Sequence, residues 1–184
     1  MTNPLINLEG LPPFSQIKPE HIVPALKQGI EKCRKTIDEV LTHPTPTWQN
    51  FIAPLEEVDD ELSRLWSPVS HMHSVVNSPE LREQYDVCLP LISEYSTFVG
   101  QHQGLYQGYQ AIFDSPEFAS LSVAQQKVIT NALRDFKLSG ISLSPEKQQR
   151  YGEISARLSE LAAKYGNNVM DATQAWQKHI TDEA

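Results

Sequence analysis

The chain has 184 residues, 40% of them hydrophobic, and a formal net charge of −8. That length suits one sizeable domain or two small ones, and the acidic balance argues against nucleic acid and anionic membranes as partners, because both require a basic surface. Only 8 glycines and no alternating runs of Val, Ile and Thr argue against a large β-sheet.

The first nine residues lack the basic region and the long apolar run of a secretory signal. No apolar run approaches the roughly 18 residues that a membrane-spanning helix needs. We therefore expect a cytoplasmic protein with no membrane partner. Cys33 and Cys88, the only cysteines, are far apart in sequence and are predicted to be reduced core residues, although a disulfide between them stays open.

Residues 1–18 are predicted to form an extended N-terminal arm that packs along a surface, because prolines and a glycine accompany scattered apolar residues. Residues 19–184 are predicted to form the helical domain. Its first helix starts at Pro19, and apolar residues recur every three or four positions from Ile22 to Val40 or Leu41. Pro24 predicts either a short turn before this helix or a kinked first turn.

The second helical pattern follows a turn at residues 43–46. Thr47 is its candidate cap, apolar residues recur from Trp48 to Leu65, and acidic residues occupy the other side. Pro68 is expected to end or kink this helix. Whether residues 69–76 are helical or irregular stays open.

Three Ser-Pro-Glu triplets mark further helix starts, because serine can cap a helix, proline suits its first position and glutamate complements its dipole. The first, at Ser78, precedes an apolar pattern that runs to Ile112, with a kink expected at Pro90. The second, at Ser115, opens only a short piece. Ser122 is then predicted to cap a helix that ends at Gly140.

The third triplet, at Ser144, opens a helix predicted to run to about Lys178. Its apolar residues, called here the long apolar stripe, are spaced by three or four positions: Tyr151, Ile154, Leu158, Leu161, Tyr165, Val169, Ala172 and Trp176. Such a helix is roughly 50 Å long, whereas a compact globule of this chain length is only about 40 Å across. The molecule is therefore elongated or forms part of something larger.

Together these patterns predict an all-α bundle of about five or six helices, two of them very long and partly kinked, with an extended N-terminal arm. The second very long helix is the one that starts at Pro79. Glycines at positions 100, 104 and 108 fall on one face of it, which predicts close packing of another chain segment. Most aromatic residues, including Tyr165 and Trp176, fall on apolar stripes and are predicted to lie in the core.

The sequence holds no complete active site. It lacks His-Glu-x-x-His, Gly-x-Ser-x-Gly and a phosphate-binding glycine loop. His71 and His73 are the only close histidine pair, and they could share a metal ion on an extended segment but not on a helix. The carboxylates at 56–57 and 59–61 lie opposite an apolar stripe and indicate a solvated helix face. We assign no catalytic, cofactor-binding or metal-binding residue.

Several stretches resemble one family, the thimet-oligopeptidase-like zinc metallopeptidases. The likeness spans the whole chain and is carried by Leu11-Pro-Pro-Phe14, Ile17-Lys-Pro-Glu-His21, Pro24-Ala-Leu26, Ser67-Pro-Val-Ser-His71, Asn77-Ser-Pro-Glu-Leu-Arg82, the run from Leu91 to Gly100, Asn131-Ala-Leu-Arg-Asp-Phe136, the run from Glu146 to Ile154 and the run from Asn167 to Thr173.

The resemblance implies the N-terminal helical part of a cytoplasmic, zinc-dependent endopeptidase that cleaves short peptides. In that family the zinc and its His-Glu-x-x-His helix lie far downstream, and the N-terminal part forms one wall of the substrate channel. None of the family's zinc ligands maps onto this chain, so we expect it to be inactive alone. Its expected partners are the missing C-terminal catalytic domain and, in the full-length enzyme, short peptides.

Two alternatives remain open at this stage. The chain could be a stand-alone helical interaction module that binds a partner helix along the long apolar stripe, or an independent metal-binding protein that uses His71 and His73. If a larger domain is missing, the apolar surface that it covers is expected to be exposed.

Overall fold

The computed structural model describes residues 3–6, 10–179 and 181. Within these residues the fold is all-α, as predicted, and has no strand. Its seven α-helices are α1 (Pro19–Val40), α2 (Ala53–Val75), α3 (Pro79–Gly100), α4 (Gln103–Phe113), α5 (Pro116–Ser120), α6 (Val123–Leu138) and α7 (Pro145–Gln174).

The helix count exceeds the predicted five or six because the pattern from Pro79 does not form one helix. The backbone leaves α3 at Gly100, and His102 Nδ1 accepts a hydrogen bond from the Leu105 amide, which caps α4. The apolar spacing continues across this break, although the buried hydrophobic residues of α3 belong to one core cluster and those of α4 to the other. The prediction of a single very long helix here was therefore wrong.

Pro24, Pro68 and Pro90 lie inside helices, and none of them ends its helix; α3 continues past Pro90 to Gly100. Pro24 lies in α1, which is one helix from Pro19 onward, so no separate short turn precedes it. Pro68 lies in α2, which continues to Val75, so residues 69–75 are helical. Each proline removes one backbone donor. Burial of Leu65, Pro68 and Val69 in the core offsets that loss in α2.

Side-chain hydrogen bonds cap α3, α4, α6 and the π-helical turn before α2. Thr47 Oγ1 accepts from the Asn50 amide at 3.2 Å while Asn50 Oδ1 accepts from the Thr47 amide at 2.7 Å, at the start of a π-helical turn that leads into α2. Ser78 and Ser122 cap α3 and α6 as predicted. Helix α7 begins at Pro145 as predicted, but the Ser144 side chain makes no capping hydrogen bond.

Gly140 ends α6 as predicted. Its φ is +86°, its amide donates to Lys137 O, and the Ile141 amide donates to Phe136 O. These two bonds define a Schellman motif, in which a residue with positive φ satisfies the last helical carbonyls. The turn buries Ile141 and directs the chain back toward α3, where α7 begins.

The buried side chains form two clusters. The first joins the end of α1, the π-helical turn, α4 and α6 around Phe51, Tyr109 and Phe136. The second joins the start of α1, the end of α2, and α3 around Ile22 and Val69. Leu5 and Ile17 of the N-terminal arm are buried in the second cluster, so the described part of the arm packs against the bundle; residues 1–2 and 7–9 lie outside the described residues.

The glycines spaced by four residues permit close packing, as predicted. A Cβ atom at Gly100 would lie 2.6 Å from Ser139, and one at Gly104 would lie 2.9 Å from Leu41. At Gly108 the added atom would lie 2.1 Å from the ring of Phe51, which is 2% exposed. Contact at Gly108 thus sets how closely α4 approaches the π-helical turn.

Replacing Gly108 with alanine is expected to destabilise the fold by roughly 1–3 kcal/mol, because the buried Phe51 ring has no free space into which it can move. The matched control is Gly166→Ala in α7, where an added Cβ meets no atom within 4 Å. This control is expected to stabilise the chain by roughly 0.5–1 kcal/mol, because alanine loses less backbone entropy in a helix. Urea unfolding of both variants measures the difference; equal effects would contradict the proposed contact.

Candidate functional site

Helix α7 packs antiparallel along α3. Where α3 ends and α7 begins, Gln101 Nε2 donates to Ser139 O at 3.1 Å and to Gln148 O at 3.3 Å. At the other end, Arg82 of α3 reaches Asp171 of α7. Helices α3 and α7 therefore run side by side along the length of α3.

The face of α7 that contacts α3 is small and polar. Its partly covered residues include Gly152, Ser155, Ser159, Ala163 and Asn167, and no residue of α7 is buried. A Cβ atom at Gly152 would lie 3.4 Å from Thr97, so the two backbones approach closely. The longest helix of the fold is thus held with little burial of its own apolar side chains.

The long apolar stripe lies roughly a third of a turn away from this face and points to solvent. Exposure is 61% at Leu158, 73% at Tyr165 and 73% at Trp176, and Ile154, Leu161 and Val169 are also exposed. The stripe has the predicted spacing as far as Ala172, but α7 ends at Gln174 and not near Lys178, so Trp176 follows the helix. The prediction that Tyr165 and Trp176 lie in the core was also wrong. This continuous exposed apolar surface is the candidate functional site of the chain.

The far end of α7 is held by charge. Arg82 Nη1 and Nη2 donate to the two Asp171 oxygens at 2.9 and 2.7 Å, a bidentate geometry that orients both groups. The Arg82 guanidinium lowers the pKa of the Asp171 carboxyl. Asn77, with φ of 45°, accepts from Arg82 Nε and donates to Met170 Sδ. We call Asn77, Arg82, Met170 and Asp171 the α7 clamp.

A stack of three rings lies beside the α7 clamp. Tyr85 stacks on Trp66 with ring centroids 5.1 Å apart and on His73 with centroids 3.9 Å apart. Burial lowers the pKa of His73, as does Arg82, whereas Asp86 and Asn167 oppose the shift. His73 Nε2 and Asn167 Oδ1 are buried without a well-formed hydrogen bond to a described residue. A proton on His73 is therefore disfavoured at the junction of α2, α3 and α7.

The two histidines considered as metal ligands are not brought together. Both lie on α2, two residues apart, and so face different directions. His71 packs against Phe14 with ring centroids 5.6 Å apart, while His73 packs against Tyr85. Among residues 3–6, 10–179 and 181, no group of three or more His, Cys, Asp or Glu is arranged to hold a metal ion.

The carboxylates that were predicted to form a solvated face are accessible to solvent, although Glu56 and Asp59 are partly covered by neighbouring helices. Asp60 pairs with Arg64 at 2.7 Å, and Glu61 pairs with Lys32. The cysteines are free and buried, as predicted, so the disulfide alternative is not formed. Burial raises the pKa of both thiols, to about 11 for Cys88, which makes them poor nucleophiles.

None of the helices in the described part of the chain is both long enough and apolar enough to span a bilayer. Fold and composition thus define an acidic, all-α domain. Within that class, the sequence profile of the family described as "Neurolysin/Thimet oligopeptidase, N-terminal domain" matches residues 21–148. The chain belongs to this family, as the resemblance predicted.

The similar individual proteins have a more specific name than the family. The chain is 64% identical over 184 residues to the oligopeptidase A of Haemophilus influenzae. It is 58% identical over 185 residues to the oligopeptidase A of Salmonella typhimurium and, at the same identity and length, to that of Escherichia coli K12. The alignments cover 100% of this chain but only 27% of each of these relatives. The chain therefore spans about a quarter of their length.

Removing the charge of the α7 clamp is expected to loosen the end of α7 without unfolding the bundle. In Arg82→Ala, amide hydrogen exchange should accelerate at residues 166–174, because Asp171 loses its bidentate partner on α3. The matched control is Arg157→Ala, whose partner Glu160 lies on α7 itself. Equal protection of residues 166–174 in the wild type and in Arg82→Ala would contradict this role.

His73 is expected to make the stability depend on pH. Because the pKa of His73 is lowered in the folded state, the unfolded chain binds a proton first as the pH falls through the ordinary value of 6.5. Stability is therefore full above that pH and declines below it. His73→Phe preserves the ring stack and removes the proton, so its urea midpoint should fall less between about pH 7.5 and 5.5. An identical decline in both proteins would exclude His73 as the cause.

Proposed function

We propose that this chain is the N-terminal helical part of a cytoplasmic, zinc-dependent oligopeptidase that hydrolyses short peptides, that it forms one wall of the substrate channel, and that it is inactive alone. The names of the relatives support a peptidase, and the chain spans 27% of their length. We also propose that residues 1–18 are an arm of the single helical domain formed by residues 19–184.

The exposed long apolar stripe is the observation that carries this proposal. Leu158, Tyr165 and Trp176 are each more than half exposed, and monomeric proteins rarely leave a continuous apolar surface of this kind open. Full burial of one such side chain contributes about 1.5–3 kcal/mol. The remaining part of the full-length polypeptide is the proposed occupant of the stripe, and α3 supports α7 from behind.

Zinc belongs, in this proposal, to the part of the enzyme outside this chain. The residues described here offer no group of three metal ligands, and the two neighbouring histidines are engaged with separate aromatic rings. Bound zinc would supply the activated water for peptide hydrolysis. The present residues contribute shape and support to the channel and no catalytic group. A stand-alone interaction module is not favoured, because the relatives are much longer than this chain.

Two separately produced polypeptides test the proposal: this chain, and the remainder of the full-length protein. Alone, the 184-residue chain is expected to bind no stoichiometric zinc and to cleave no peptide; mixed with the remainder, it should restore zinc-dependent cleavage. Metal analysis and hydrolysis of a fluorogenic peptide measure both. Zinc-dependent turnover by the chain alone would refute the proposal.

A variant in the long apolar stripe locates the contact. Leu158→Glu places a charge in the proposed interface and is expected to weaken association of the two polypeptides at least about tenfold. Lys164→Gln changes the net charge by the same amount on the opposite, charged side of α7 and should have little effect. Equal association of the two variants would show that the stripe is not the interface.

A further inference from the structure

An open cleft lies on the bundle, and no residue of the long apolar stripe lines it. It has a volume of about 580 Å³ and is lined by α1, α2, α3, α4 and α6. That volume falls within the range of sites that bind small molecules and short peptides. Its walls come from both apolar clusters, including Leu26 of the second and Phe136 of the first.

The charged side chains that line this cleft are all negative. Its lining contains three carboxylates, those of Glu56, Asp59 and Asp135, and no lysine, arginine or histidine. Asp135 already pairs with Arg134 at 2.9 Å. Glu56 and Asp59 lie one turn apart on α2, and neither has an ion-pair partner among the described residues. We call this feature the acidic cleft.

The surroundings of these carboxylates favour a cation. Partial burial raises the pKa of Glu56 and that of Asp59, and in each case a neighbouring aspartate raises it further, Asp59 for Glu56 and Asp60 for Asp59. Their negative charges therefore lack compensation. Arg34 lies over the ring of Tyr95, which lines the cleft, but Arg34 is not part of the lining. Its guanidinium stacks on Phe98 at 4.1 Å and pairs with Glu94 at 3.4 Å. The carboxylates of Glu56 and Asp59 are thus available to pair with a positively charged group of a ligand.

Tyr109 is a second, independent sign of an occupant. Its side chain lines the acidic cleft and is only 7% exposed, and its ring is fixed edge-on against Phe51 with centroids 5.8 Å apart. The hydroxyl at the end of the ring is open to the cleft and forms no hydrogen bond with a described residue, so it is free to bond a group that enters the cleft. Burial and the charges of Glu56 and Asp59 raise its pKa, so the hydroxyl stays protonated beside the carboxylates.

We propose that the acidic cleft binds a short peptide in which one positive charge, of lysine or arginine, lies between apolar side chains. The cation would pair with Glu56 and Asp59, the Tyr109 hydroxyl would bond a peptide polar group, and the apolar side chains would contact the cleft walls. The choice of a peptide rests on the proposed function, whereas the charge and the apolar walls rest on the acidic cleft alone.

Binding to the 184-residue chain tests this site with two matched probes, acetyl-Leu-Lys-Leu-amide and acetyl-Leu-Gln-Leu-amide. The lysine peptide is expected to bind at least about fivefold more tightly than the glutamine peptide. This difference in affinity should decrease as the salt concentration is raised. Isothermal titration gives the affinities, and amide chemical shifts should move at Glu56, Asp59 and Tyr109. Equal affinity of the two peptides would overturn the proposal.

Paired double variants separate the acidic cleft from the overall negative charge. E56Q/D59N should reduce the affinity for the lysine peptide to that of the glutamine peptide. E57Q/D60N changes the net charge equally on the same helix, but Glu57 and Asp60 line a different groove between α1 and α2, so affinity should persist. Circular dichroism checks that both variants fold. Equal losses in the two variants would refute the site, and this result is independent of whether the two polypeptides restore peptidase activity.

Discussion

The packing of α7 on α3 through small and polar residues is the interaction that decides which side of α7 stays exposed. A helix has a limited circumference, and Gly152, Ser155 and Ser159 use one side of it for close contact with α3. Because that side carries almost no apolar area, the apolar side chains of α7 remain unpaired. The helix is therefore positioned by its own domain and left available to another one.

The body that supports α7 has its own constraint at Gly108. Phe51 occupies the space that a side chain at this position would take, and Phe51 and Tyr109 hold α4 against the start of α2. The second hydrophobic cluster involves α1, α2 and α3 and does not include Phe51 or Tyr109. The acidic cleft lies where these two clusters meet, so it follows from the way in which five helices are joined and not from a loop on the surface.

Local signals in the sequence predicted helix boundaries well wherever one residue determines the geometry. Thr47, Ser78 and Ser122 cap the helices that follow them, and Gly140 adopts the positive φ expected of a helix stop. The break after Gly100 was missed because it depends on a histidine cap at His102, which lies outside the usual capping residues. The apolar spacing on either side of that break gave no sign of it.

Properties that depend on tertiary contacts could not be predicted in the same way. The spacing of the long apolar stripe was correct, but spacing alone cannot tell a core face from an exposed one, so Trp176 was wrongly placed in the core. Similarly, the sequence pattern predicted that Glu56 and Asp59 lie on an ordinary solvated helix face. In the structure, α3, α4 and α6 pack near part of that face, and that part forms one wall of a cleft. The continuation of α2 past Pro68 likewise depends on burial of its neighbours.

The antiparallel arrangement of α3 and α7 also has a kinetic consequence. The contacts near the Gly140 turn join residues only 38 and 47 positions apart, whereas Arg82 and Asp171 are 89 positions apart. Loop closure costs about 0.6 kcal/mol more for each doubling of length, so closing the contacts beside the turn costs less entropy than closing the Arg82–Asp171 contact. We therefore expect docking of α7 to begin beside the Gly140 turn and to proceed toward its C-terminal end.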